Sequence, residues 1–131
     1  MLTATEQEGW RRFREYGCTA CHQGVLLGGN MYQKFGALRD FYADKTVTKA
    51  DLGRFNVTGR EEDRHVFKVP TLRNIAATAP YFHDASATTL EQAVVVMARH
   101  QLGRELDAEE TAQIVAFLHT LSGEWRNRVV Q

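Results

Sequence analysis

The chain has little of what marks several protein classes. Two cysteines among 131 residues exclude a disulfide-built scaffold. Charge of one sign is missing: sixteen Lys plus Arg balance sixteen Asp plus Glu. That removes any bulk electrostatic case for nucleic acid or an anionic membrane as partner. No apolar run approaches the ~18 residues of a membrane span. The opening Met1-Leu2-Thr3-Ala4-Thr5-Glu6 has neither a basic start nor an apolar core, so it does not read as a secretory leader. Internal repeats and low-complexity tracts are also lacking. What remains is 44% hydrophobic and 24% charged residues, a globular composition, over a length that suits one domain spanning 1–131.

Three segments carry helical patterning. The first is expected from about Glu6 to Tyr16, with Thr5 and Glu8 at capping-box spacing and Gly17 as its stop. Trp10, Phe13 and Tyr16 recur at helical spacing. The second is expected from about Thr89 to Gln101, with Thr88 and Glu91 as the box and Gly103 as the end. Leu90, Ala93, Val94 and Met97 form one apolar stripe along it. The third starts after Asp107, with Glu110 three residues on and Gly123 closing it. Its stripe is Ile114, Phe117, Leu118 and Leu121. Trp10 and Phe13 are expected to meet Ile114, Phe117 and Leu118 where the first and third helices cross. Trp125 is expected to fold back onto the body.

Between Gln23 and Thr88 the pattern weakens, and glycines with Pro70 and Pro80 punctuate it. A short helix near Asp40 or a strand pair between Phe55 and Val66 fits there. So long an irregular stretch is tolerable if it wraps something.

Cys18-Thr19-Ala20-Cys21-His22 is CxxCH, the c-type haem attachment pattern. Thiols three positions apart can add to the two vinyl groups of one haem, and the adjacent imidazole then sits beneath the iron. A redox dithiol expects a thioredoxin-like βαβ setting, which is missing. A zinc site needs four ligands, and neither a second CxxC nor an HxxxH is present. The haem reading is the one whose requirements the chain meets. Opposite His22, the residues alone leave several choices: Met31, Met97, His65, His83, His100, His119 or an open position. Arg11, Arg12 and Arg14 make a local basic patch, which reads as solvated surface or as a dock for an acidic partner.

Further stretches are distinctive: Gly28-Gly29 through Met31-Tyr32-Gln33-Lys34-Phe35-Gly36, Gly53-Arg54-Phe55, Val69-Pro70-Thr71-Leu72-Arg73-Asn74, Thr78-Ala79-Pro80-Tyr81-Phe82-His83-Asp84, and Leu90-Glu91-Gln92-Ala93-Val94 with Met97. With CxxCH they resemble the electron-transfer (C-terminal) domain of bacterial di-haem cytochrome c peroxidases. The resemblance implies an all-α, class I cytochrome c-like domain with three main helices and long loops around one covalent haem c. It implies Met97 as the ligand opposite His22, so that the iron is capped and the domain carries electrons rather than acting as an enzyme on its own. Arg54 and Arg73 become candidates for the haem propionates, since guanidinium groups fork onto carboxylates. The family also binds calcium between its two haem domains, through carbonyls at the positions of Thr78 and Pro80 and an Asn from the other domain. A redox partner protein, a second haem domain and a periplasmic location follow from the same resemblance. The alternative is peroxide reduction at an iron with an open or labile sixth position, with His83 or His100 as acid/base. A weaker third reading is a ligand-sensing haem domain.

Overall fold

The computed structural model describes residues 1–125 and 128–129, with nothing of the side chains beyond 124. Four helices follow in chain order: α1 (Ala4–Glu15), α2 (Phe55–Thr58), α3 (Leu90–Leu102) and α4 (Ala108–His119). The expectation for Trp125 therefore falls outside the described side chains. Among the described residues no helix is long and apolar enough to cross a membrane.

Each long helix begins with a reciprocal cap. In α1 the box is Thr3 with Glu6, and in α3 it is Thr89 with Gln92, one or two residues before or after the expected pairs. In α4 it is Asp107 with Glu110, as expected. Gly103 ends α3 in the left-handed region that glycine enters freely. Helix α4 stops at His119, before Gly123.

The architecture is helical but not purely so. Strand β1 (Tyr32–Lys34) pairs antiparallel with β2 (Val66–Lys68), with Gln33 opposite Phe67. A second two-residue pair joins β3 (Glu124–Trp125) to β4 (Arg128–Val129). The expected helix near Asp40 is not formed. The short helix lies at α2 instead, and the strand partner of β2 comes from residues 32–34 rather than from the Phe55 region.

Helices α1 and α4 cross closely. A Cβ on Gly9 would sit 1.9 Å from the Gln113 carbonyl oxygen, so only glycine permits the approach. Around that point Trp10 and Phe13 lie 5.1 and 5.3 Å from the Phe117 ring, as the patterning predicts. Tyr16 donates to Glu110 at 2.6 Å, and Arg12 donates to Gln113 at 2.6 Å. Phe13, Ile114, Phe117, Leu118 and Leu121 form one core with Leu72, Tyr81, Leu90 and Ala93. Two helices are thereby locked together, and α3 joins the same core through Leu90 and Ala93 while its outer turns and the ribbon border a cleft.

Candidate haem site

The CxxCH segment is shaped by the end of α1. Gly17 takes φ +100° and turns the chain out of the helix. Residues Cys18–Ala20 then form a single 3-10 turn, closed by the Cys21 and His22 amides donating to the Cys18 carbonyl at 3.3 and 2.9 Å. In a 3-10 turn positions i and i+3 eclipse. The two thiols thus share one side of the turn, and both are free.

Cys18, Cys21 and His22 line a cleft of about 630 Å³, within the ~300–1,000 Å³ range of small-molecule and cofactor sites. Its walls are mostly apolar. Leu90, Ala93, Val94 and Met97 of α3 face it, so the stripe read in the sequence is the cleft wall. Phe35, Phe67 and Phe82 close another side, and Leu72, Ile114 and Leu118 form its floor. A second, more open groove of about 600 Å³ lies between α3 and α4, but it carries none of the CxxCH residues.

The chemistry of the donors is specific. His22 Nδ1 lies 3.2 Å from the Leu27 carbonyl oxygen. A carbonyl only accepts, so Nδ1 holds the proton and Nε2 keeps its lone pair. Burial lowers the His22 pKa, against the opposing pull of the Leu27 and Pro70 backbone. The ring is therefore held neutral and fixed in one tautomer, the state a metal ligand needs. Leu27 offers that carbonyl from a left-handed conformation, φ +49°, uncommon for a leucine. Burial pushes the Cys18 thiol up to about 11, so it is a poor nucleophile at neutral pH. That disfavours a catalytic or exchanging thiol.

Of the six candidates for the position opposite His22, two face the cleft: Met97 and His83. Met31 lies with its sulfur 4.0 Å from the Gln23 amide. His65 is 2.7 Å from the Asp51 carbonyl, and His100 is 2.9 Å from the Arg39 carbonyl. His119 lines the other groove. His83 Nε2 lies 2.7 Å from Asp51 Oδ1. Met97 is left as the uncommitted donor on the wall. Soft thioether, neutral imidazole and paired thiols around an apolar slot fit a c-type haem.

Arg54 and Arg73 are not among the lining residues. Arg73 donates to the Val25 carbonyl at 3.0 Å, and Arg54 lies over the Tyr32 ring and near Asp63. Lys68 is the cationic side chain on the cleft wall. Thr78 and Pro80 also line the cleft, with the Thr78 hydroxyl donating to the Ile75 carbonyl at 3.1 Å. In the basic patch on α1, Arg11 pairs with Glu8 and Glu15, Arg12 pairs with Glu110 of α4, and Arg14 lies over the Trp10 ring. The interaction that sequence reasoning missed centres on His83, which meets Asp51 from 32 positions away and Tyr42 from 41.

The chain is 50% identical over 123 residues to the cytochrome c551 peroxidase of Nitrosomonas europaea, covering 94% of this chain and 36% of that protein. The chain is homologous to part of the bacterial cytochrome c peroxidases. It is 47% identical to cytochrome c peroxidase Ccp of Escherichia coli, over 93% of this chain and 26% of the relative. It thus spans 26% to 42% of the length of the curated peroxidases it matches. The solved structure of a MauG-like protein associated with microbial copper homeostasis superposes with a TM-score of 0.79 at 29% identity. That match covers 92% of this chain and 44% of the other. No protein-family model matches the chain.

Proposed function

We propose that residues 1–131 form one c-type cytochrome domain of the class I kind that passes electrons through a single covalent haem c with His22 and Met97 as axial ligands. The observation that supports this is the convergence of Cys18, Cys21, His22 and Met97 on one apolar cleft. Each thiol would add its S–H across a vinyl C=C, forming a C–S bond and leaving the hydrogen on the neighbouring carbon. His22 would present Nε2 while the Leu27 carbonyl keeps its ring from turning. A bound haem supplies an iron that changes charge by one. Met97, soft and neutral, would favour the reduced state and close the sixth position to peroxide. The apolar walls would keep water from the iron and so limit reorganisation.

Arg54 and Arg73 have other partners in this fold, so their pairing with propionates would require both to swing from the surface. The short share of the relatives that the chain covers supports a role as the electron-receiving part of a larger, di-haem arrangement in the periplasm. It would take electrons from a redox partner protein and pass them to a second haem domain. A second reading, peroxide reduction by this chain itself, is favoured by the relatives' names and by His83 on the cleft wall.

Absorption spectra of the purified ferric and ferrous holoprotein test the choice. A low-spin ferric spectrum with the weak sulfur-to-iron charge-transfer band supports the electron carrier. A high-spin spectrum with peroxide turnover supports the second reading.

A further inference from the structure

His83 occupies an unusual place. It lines the cleft, while its Nε2 reaches 2.7 Å to Oδ1 of Asp51, a residue that is not part of the cleft lining. Their side chains are only 17% and 10% exposed. The Phe67 ring stacks on the imidazole at 4.3 Å and 20°, and the Phe35 ring meets it edge-on at 5.9 Å. Carbon walls of this kind strengthen any charge effect between the cleft and the ring.

Asp51 is pinned as an anion. The Thr48 amide and hydroxyl donate to its other oxygen at 2.7 and 2.8 Å. Those bonds, with His83, hold its carboxyl down at about 2. Tyr42 places its hydroxyl 3.5 Å from His83 Nε2. Burial, reinforced by Asp51, Asp84 and Asp40, raises the Tyr42 phenol well above its ordinary range, so it stays neutral. The other charged or titratable groups nearby are Asp84, next in the chain and within 4.8 Å of the pair, and His65, stacked on Tyr42 at 4.0 Å. The immediate partners of His83 are therefore anionic and aromatic, with Lys68 the cation on the same cleft wall.

We infer that the Asp51–His83 pair is a proton site coupled to the redox state of the cleft, in which His83 takes up one proton when one electron enters. The inference rests on the haem reading above. The balance is simple. A one-electron donor supplies the electron, solvent supplies the proton, and no bond to carbon is made or broken. Adding the electron removes one positive charge from the cleft, which favours the charged imidazolium, and Asp51 is its fixed counter-charge. Oxidation releases the proton again. In its reduced state the domain would carry a hydrogen-atom equivalent in two separate places, the electron in the cleft and the proton at His83.

The test is a potentiometric titration of the haem-loaded protein across roughly pH 5 to 8, where imidazoles change charge. The wild-type midpoint potential is expected to fall as pH rises, because proton uptake assists reduction less. His83→Gln is expected to abolish that fall. Asp51→Asn, which leaves the imidazole without its counter-charge, is expected to move the sloping window to lower pH. Where His83→Gln fails to fold, the Asp51→Asn displacement decides alone. A flat wild-type profile, or an unchanged slope in His83→Gln with its spectra intact, overturns the inference. Absence of a covalent haem adduct by mass spectrometry is a different result. It overturns the cytochrome reading itself, and this inference with it.

Discussion

Met97, Cys18, Cys21 and His22 line one cleft, and on the proposed ligation loss of the thioether and loss of the thiols should separate. Met97→Ala removes the thioether while leaving the cysteines in place. The expected outcome is a haem still attached, loss of the sulfur-to-iron band, and a fall in midpoint potential. An unchanged spectrum and potential would exclude Met97 as ligand. Cys18→Ala with Cys21→Ala should leave any haem extractable by acidified solvent, whereas each single change keeps one thioether and a mass shift of one haem. The contiguous Cys18 to His22 segment was fully legible, because its chemistry depends on neighbours in sequence. Met97 stood on a readable stripe, yet facing a cleft rather than a core is a tertiary fact. The Asp51–His83–Tyr42 contact was invisible, since its members are distant in sequence and each has an ordinary local context. Arg54 and Arg73 show the converse. Their charge suggested haem propionates, yet neither lines the cleft, Arg54 lying near Asp63 and Arg73 on the Val25 carbonyl, because charge alone does not say which way an exposed side chain points.

At the scale of elements, the crossing of α1 and α4 depends on Gly9. Gly9→Ala drives a methyl into the Gln113 carbonyl. The expected cost is about 3 kcal/mol, the upper end of common overpacking effects, read as a lower midpoint in urea unfolding. Asp107→Ala removes a cap that accepts from the Glu110 amide at 2.8 Å and should cost about 1 kcal/mol in the same assay. The starts of α1 and α3 were displaced from expectation for a definite reason. Thr3–Glu6 and Thr5–Glu8 share one spacing, as do Thr88–Glu91 and Thr89–Gln92. Local pattern cannot choose between such pairs; packing of the apolar face does. The β1–β2 ribbon escaped notice because its three-residue strands lie more than thirty residues apart and show no alternation long enough to count.

For the whole molecule, the cleft cuts into the core. Leu72, Leu90, Ile114 and Leu118 belong both to the core and to its lining. A chain produced without haem should therefore be loosely packed, with far-ultraviolet helix signal retained, near-ultraviolet signal weak and bound hydrophobic dye bright. Equal near-ultraviolet spectra with and without haem would contradict this. Acid should act through Asp51. Its folded pKa, about 2, lies below the ordinary 3.8, so its contribution is fully present above the ordinary value. It is lost as pH falls from there towards 2. Acid unfolding of Asp51→Asn should lack that component. The burial that lifts the Cys18 thiol to about 11 also bears on how the protein is made. In the closed fold that sulfur is protonated and screened by the walls that would hold the porphyrin. On the proposed haem reading, bond formation would be easier while the cleft is still open, with attachment preceding closure. Closure would then make the attached group hard to reach again.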